Sequence, residues 1–284
     1  MNYKTVMTVL TRPAYIEADL APAIAAAQDQ DAHLDVLCLG LDLVQTGYYF
    51  SGASAALYQE GRALAEEDAR KLQEAAKAAL SEAEAQGVKL RWSTEQAVAQ
   101  LGSVGALIGQ RARFADLVVA SSPYGEDCGS AEEAIVEAAL FDARTSVLLA
   151  PKGQALTLAP RRVVVAWNQS NEALCAIRKA LPVLKCAERV DITVIDPPSH
   201  GPERSDPGGQ LAQWLARHGV NCEISVLAKT LPRAVDVLQR HLTDTKTDML
   251  VMGAYGQSRL REAILGGTTR NMLESATTPV FMAH

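Results

Sequence analysis

Short apolar runs recur along the chain and alternate with longer stretches of helical composition. In the first half the runs that are typical of buried strands are Thr5–Leu10, Leu34–Leu39, Lys89–Ser93, Leu117–Ala120 and Val147–Leu149. Because most of them are continuously apolar rather than alternating, they predict parallel strands that are covered on both faces. Strands that alternate with helices predict right-handed crossovers and a doubly wound parallel sheet.

The second half of the chain repeats the pattern of the first. At one common offset, matching segments are Gly87–Ser93 with Gly219–Ser225, and Ala115–Ala120 with Thr247–Met252. An earlier pair, His33–Val36 and Arg189–Ile192, has a larger offset. The second copy is therefore shorter between its second and third strands. The first copy carries a long helix there, expected over Tyr58–Gln86 and ended by Gly87.

This duplication predicts an α/β protein with two tandem, doubly wound domains, each with a five-stranded, parallel, Rossmann-like sheet. We expect the first domain over residues 1–151 and the second over residues 160–284. The segment Pro151–Pro160 is bounded by prolines and is the natural linker.

Composition narrows the classes of function. The chain has 284 residues, 48% of them apolar, and a net charge of −6 without a basic stripe. This charge argues against nucleic-acid binding. No run of about 18 apolar residues predicts a membrane span, and no secretory signal is evident, so we expect a cytoplasmic protein. The five cysteines are dispersed and predict neither disulfides nor a zinc site. No catalytic or metal role is expected for the histidines.

The connection after the fourth strand of the second copy carries spaced glycines. It reads Gly253-Ala254-Tyr255-Gly256, then nine residues, then Gly266-Gly267-Thr268-Thr269. Ligands of open parallel sheets bind beyond the carboxyl ends of the strands, and glycines there let the backbone approach a ligand. An expected helix, Thr269–Ser275, offers free N–H groups and its dipole to an anion. With charge from Arg259 and Arg270, the connection predicts a phosphate site; the alternative is a pair of tight turns.

These residues resemble the nucleotide motif of the universal stress protein family, and nearly the whole chain resembles a tandem pair of such domains. In the family's ATP-binding subgroup, G-x-x-G follows the fourth strand, then nine residues, then G-[S/T]. Gly253, Gly256 and Gly266 match this motif. Gly267 departs from it, and the hydroxyls follow one and two places later, at Thr268 and Thr269.

The resemblance also implies roles for individual residues. The ribose is expected near Gly253, Tyr255 and Gly256, and the phosphates near Arg259, Gly266, Gly267, Thr268 and Thr269. The family places an Asp after the first strand, near adenine, where this chain has Trp167-Asn168-Gln169-Ser170. Asn168 and Ser170 keep hydrogen-bonding capacity without the charge, and Val194 would form an apolar wall for the base. The resemblance further implies that the last strands of the two copies pair, which would make a pseudo-dimer within one chain; a homodimer is a further option.

The first copy departs much further from the motif. Ser121 stands where the second copy has Gly253, and the carboxylates of Glu126, Asp127, Glu132 and Glu133 would repel phosphates. We therefore expect the first copy to bind no nucleotide.

Three hypotheses for function follow. The first is a stress-response regulatory protein that binds ATP through the second domain, with Mg²⁺ carried by the phosphates. The second is a slow ATPase or autophosphorylating protein, although neither a G-x-x-x-x-G-K-[ST] loop nor a complete catalytic set is present. The third is a structural or partner-binding module that binds no nucleotide.

Overall fold

A computed structural model of the chain describes residues 2–43, 55–124, 129–151, 156–197, 205–254 and 268–284. The chain divides into an N-terminal unit, Asn2–Thr145, and a C-terminal unit that begins at Ser146 and ends at His284. Each unit is built around a sheet of mostly parallel strands, so the predicted α/β class is confirmed.

The N-terminal unit contains the strands β1 (Thr5–Leu10), β2 (His33–Asp42), β3 (Arg91–Gln100) and β4 (Leu117–Ser121). Its helices are α1 (Ile16–Gln30), α2 (Ala55–Ala85), α3 (Val104–Ala112) and α4 (Ser130–Phe141). The strands pair in parallel in the order β3-β2-β1-β4. Fully buried leucines and isoleucine from strands and helices fill the core, among them Leu10, Leu34, Leu72, Ile108 and Leu117.

The C-terminal unit contains the strands β5 (Ser146–Ala150), β6 (Arg162–Ala166), β7 (Arg189–Ile195), β8 (Cys222–Leu227), β9 (Met249–Gly253) and β10 (Val280–Ala283). Its helices are α5 (Asn171–Lys179), α6 (Leu181–Cys186), α7 (Gly209–Arg217), α8 (Ala234–Asp244) and α9 (Thr268–Ser275). Five of the strands pair in parallel in the order β10-β9-β6-β7-β8, so the predicted doubly wound parallel sheet is confirmed.

The last strands of the two repeats, β5 and β10, are paired antiparallel, with Leu148 opposite Phe281. The compact units divide at Thr145, so β5 counts with the C-terminal unit, although the repeat pattern assigns it to the first copy. The proposed repeat boundaries, 1–151 and 160–284, and the pseudo-dimer stay predictions.

An aspartate at the start of the fourth strand makes the same contacts in both repeats. Asp116 Oδ2 accepts hydrogen bonds from the backbone N–H groups of Lys4 (2.7 Å) and Thr5 (3.0 Å). Asp248 Oδ2 accepts them from Arg161 (2.9 Å) and Arg162 (2.8 Å). The two repeats thus share side-chain contacts as well as a sequence pattern, which supports the duplication.

The repeats differ most in the helix between their second and third strands. This helix is α2 in the first repeat, with 31 residues, and α7 in the second, with 9 residues. Gly87 follows α2 with φ of +93°, as expected for a glycine that ends a helix. No helix among the described residues is long and apolar enough to cross a membrane.

Candidate functional site

The candidate site lies at the carboxyl ends of β6 and β9, which are neighbours in the sheet. From β6 the chain runs outward through β7 to β8, and it then returns to β9 on the other side of β6. The order of the strands reverses between β6 and β9, and open α/β sheets bind ligands at such a point. Asn168 and Gly253 both lie at this edge of the C-terminal unit.

Gly253 ends β9 directly beneath the first turn of α5. A Cβ atom at this position would lie 2.5 Å from the backbone nitrogen of Ala173 and 2.7 Å from the carbonyl carbon of Glu172. No real side chain tolerates such distances to backbone atoms. The packing of α5 therefore requires glycine here, and this requirement exists without any ligand.

Asn168 and Ser170 form the turn that leads from β6 into α5. Asn168 Oδ1 accepts a hydrogen bond from the backbone N–H of Ser170 (3.1 Å), and Ser170 Oγ accepts one from the backbone N–H of Ala173 (3.1 Å). Ser170 is thus the N-cap of α5. Asn168 is exposed, and its oxygen accepts a hydrogen bond within the turn, so the amide NH₂ group is the donor that this side chain has left to offer.

Val194 is buried beneath the corner where β6, β7 and the start of α7 meet. A Cβ atom on Gly208 would lie 3.6 Å from Val194 Cγ2 and 3.7 Å from Trp167 Cδ1. Gly208 has φ of +84° and immediately precedes α7. Only 3% of Val194 is exposed, so its side chain belongs to the core here, and its role as a wall for a base stays a prediction.

Several residues predicted for the site lie outside the described residues: Tyr255, Gly256, Arg259, Gly266 and Gly267. Thr268 and Thr269 begin α9, one residue earlier than the predicted start of this helix. Arg270, which was expected to supply charge, donates from Nε to Glu274 Oε1 (2.8 Å) within α9.

His284 lies beside this edge, and the sequence pattern does not predict its contacts. The imidazole Nδ1 of His284 is 3.0 Å from the carbonyl oxygen of Ala254, and Cys175 Sγ donates to the carbonyl oxygen of His284 (3.4 Å). Through these contacts His284 links the end of β9 to α5.

The corresponding edge of the first repeat is occupied by a salt-bridged cluster. Glu132 Oε1 accepts a hydrogen bond from Thr11 Oγ1 (2.8 Å) and lies 3.3 Å from Arg12 Nε. Glu132 Oε2 accepts from the backbone N–H of Gly129 (2.8 Å), which caps α4. The cavity that remains has a volume of about 20 Å³. This space corresponds to about one water molecule, and the expectation that the first repeat binds no nucleotide stays a prediction.

Sequence reasoning missed a polar cluster on the C-terminal unit. Asp191 Oδ2 accepts a hydrogen bond from Ser225 Oγ (3.0 Å) and lies 2.7 Å from His241 Nε2. The hydroxyl of Ser225 is bound to the carboxylate rather than to the imidazole, so the three residues do not form a nucleophile with its base. A cavity of about 110 Å³ lies beside Asp191 and includes Arg162 and Arg189, at the amino ends of β6 and β7.

The described cysteines differ in exposure: Cys38 is buried, Cys175 and Cys222 are partly buried, and Cys186 is exposed. Burial raises the pKa of the Cys38 thiol to about 12, and burial also raises the pKa of Cys222. Thiols with raised pKa values carry little thiolate at neutral pH and react slowly. Across the described ranges, no three His, Cys, Asp or Glu side chains are grouped so that they could hold a metal ion.

Comparison with known proteins identifies similar sequences and folds. Residues 160–284 match the model of the Universal stress protein family. Universal stress protein Slr1230 from Synechocystis sp. is 32% identical over 72 residues, which are 25% of this chain and 24% of that protein. The match thus spans about a quarter of that relative's length.

Two solved structures cover almost the whole chain. A universal stress protein from Archaeoglobus fulgidus has a TM-score of 0.69 at 16% identity, over 98% of this chain and 95% of its own. The protein PA1789 from Pseudomonas aeruginosa, of unknown function, has a TM-score of 0.53 at 14% identity, over 99% of this chain and 92% of its own. At these identities the similarity establishes the fold alone.

Proposed function

Residues 160–284 belong to the universal stress protein family, and on this premise we propose that the second repeat binds an adenine nucleotide, so that the chain acts as a regulatory protein in the stress response. The observation that carries the proposal is the position of the glycine motif. It begins at Gly253, at the carboxyl end of β9 and at the point where the strand order reverses. Ligands of open α/β sheets bind at this point.

The ligand that we propose is ATP. Its phosphates would be held by the connection before α9 and by the first residues of that helix: Arg259, Gly266, Gly267, Thr268 and Thr269. Free N–H groups at a helix start, together with its dipole, attract anions. A Mg²⁺ ion would come with the phosphates, since magnesium commonly binds through phosphate oxygens and water rather than a cage of protein ligands.

The nucleoside end of the ligand would lie against the turn between β6 and α5. Asn168 is exposed there, and its NH₂ group is available to donate to a base. Ser170 and Val194 border the same turn, while Gly253, Tyr255 and Gly256 would face the ribose. The side chain of Val194 is buried, so it would support this surface from below.

The role that we propose for the nucleotide is regulatory. A ligand shifts a protein between two states only if it binds those states with different affinities. ATP in the second repeat would therefore change either the stability of the chain or its affinity for a partner protein. The hypothesis of a slow ATPase differs in one measurable respect, because it requires phosphate release.

Calorimetric titration of the full chain with ATP and Mg²⁺ tests this proposal. We expect one bound nucleotide per chain, because the first repeat is filled by its own side chains. Gly266→Asp should abolish binding, since a carboxylate at the phosphate site repels the ligand. Gly102→Asp is the matched control and should bind normally, because a Cβ atom at Gly102 meets nothing within 4 Å.

Two results would decide against the proposal. If the wild-type chain binds no ATP, or if Gly266→Asp binds as well as wild type, the second repeat does not hold nucleotide through this motif. Phosphate release by wild type above the level of Gly266→Asp would favour the ATPase hypothesis over a purely regulatory role.

A further inference from the structure

In the first repeat, a carboxylate of the protein itself lies at the edge of the sheet where open α/β sheets bind ligands. The end of β1 and the end of β4 are neighbours, and α4 begins beyond β4. The carboxylate of Glu132 lies at this position, with only 16% of the side chain exposed.

Two hydrogen-bond donors and one cation converge on this carboxylate. One is a backbone N–H at the start of a helix, from Gly129 at 2.8 Å. Another is the hydroxyl of Thr11, at 2.8 Å, and the third is the guanidinium of Arg12, whose Nε lies 3.3 Å away. The guanidinium is itself held over the ring of Tyr15, 4.3 Å from its centroid. A helix start, a hydroxyl and an arginine are the groups with which proteins bind phosphate.

We propose that Glu132 closes the first repeat to phosphate-bearing ligands, because its carboxylate takes the donors that such a ligand would use. The remaining cavity, about 20 Å³, is too small for a phosphate group. Removal of the carboxylate both frees the donors and enlarges this space.

In the described part of the second repeat, no carboxylate stands at the corresponding place on α9. The first turn of α4 carries Glu132 and Glu133, whereas the first turn of α9 carries no acidic residue. Helix α4 also starts sooner after its strand: it begins at Ser130 after Ser121, whereas α9 begins at Thr268 after Gly253. The first repeat thus has the shorter connection between its fourth strand and the next helix, and the first turn of that helix carries the carboxylate of Glu132.

The inference is tested by NMR of the full-length, isotope-labelled chain, titrated with inorganic phosphate against sodium chloride of equal ionic strength. The signals to follow are the amide of Gly129 and the Nε–H of Arg12. Both lie in the first repeat, so the result does not depend on whether the second repeat binds nucleotide. In wild type we expect no saturable shift of either signal.

The decisive variant is Glu132→Ala, for which we expect saturable shifts of both signals. The affinity for phosphate should exceed any residual affinity of wild type by roughly tenfold or more, the size expected from one charge-assisted hydrogen bond. Glu133→Ala removes the same charge from the same helical turn and should behave as wild type. Glu132→Gln keeps the side-chain volume, should give a weaker response in the same direction, and serves if Glu132→Ala fails to fold.

Either of two results overturns the proposal. The first is that neither Glu132 variant shows shifts beyond the chloride control. The second is that wild type or Glu133→Ala responds to phosphate as strongly as Glu132→Ala does.

Discussion

Gly253 and Ala173 are packed backbone against backbone, so that a Cβ atom on Gly253 would lie 2.5 Å from the Ala173 nitrogen. The first glycine of the nucleotide motif is therefore required by the fold itself. The start of α5 can approach the end of β9 only where a side chain is missing. This contact also sets the position of the turn that contains Asn168, because Ser170 caps the same helix.

We predict that Gly253→Ala destabilises the C-terminal unit even without nucleotide. The added Cβ must displace backbone atoms of α5, and overpacking of this kind costs about 1–3 kcal/mol in the free energy of unfolding. Urea denaturation of the nucleotide-free chain measures this loss. Gly102→Ala is the control and should cost little, because its Cβ would have open space. If Gly253→Ala unfolds like wild type, the packing of α5 does not require glycine at this position, and any such requirement would come from the ligand alone.

A second prediction concerns the cluster around Asp191. This residue and His241 are 10% and 14% exposed, and Asp191 also accepts from Ser225. Asp191→Ala leaves both partners without their acceptor, so we expect a loss of about 1–3 kcal/mol in the free energy of unfolding. The exposed pair Arg161–Glu188 is the matched comparison. Glu188→Ala should cause no measurable loss. Equal effects of the two variants in guanidinium denaturation would contradict this interpretation of the cluster.

A third prediction concerns recognition of the base. Asn168 offers an NH₂ group, whereas an aspartate would keep the bond from Ser170 and offer an acceptor instead. Adenine has an amino group that such a carboxylate can bind, and guanine has a carbonyl oxygen in the corresponding place. Asn168→Asp should therefore raise the affinity for ATP relative to GTP by roughly tenfold.

Calorimetric titration of both nucleotides measures this ratio. Gln169→Glu introduces the same charge at the neighbouring exposed position and should leave the ratio unchanged. If Asn168→Asp and Gln169→Glu change the ratio alike, then charge alone is responsible and Asn168 does not face the base.

The hydrophobic pattern of the sequence predicts the bounds of a strand best where that strand is apolar and buried. Strand β1 has the predicted bounds, Thr5–Leu10, and Gly87 follows the long helix with the positive φ expected there. Strand β3 was predicted over Lys89–Ser93 but extends over Arg91–Gln100. Among the described strands it pairs with β2 alone, and its exposed residues are polar, so hydrophobic runs do not mark its end.

The resemblance to the universal stress protein family is confirmed, by the family match over 160–284 and by a shared fold over almost the full chain. The contacts within the site could not be predicted in the same way. Gly253 packs against the backbone of α5, which lies about 80 residues earlier in the chain. Glu132 is bound by side chains that follow β1. Such contacts depend on which elements pack together, and local sequence patterns do not contain this information.

We propose that the second repeat holds an adenine nucleotide, whereas the first is closed by its own carboxylate. The most direct measurement is to denature the purified native chain and to identify the released small molecules by chromatography and mass. We expect up to one ATP per wild-type chain, none from Gly266→Asp, and an unchanged amount from the control Gly102→Asp. Wild-type protein that releases no nucleotide and also fails to bind added ATP would contradict the account.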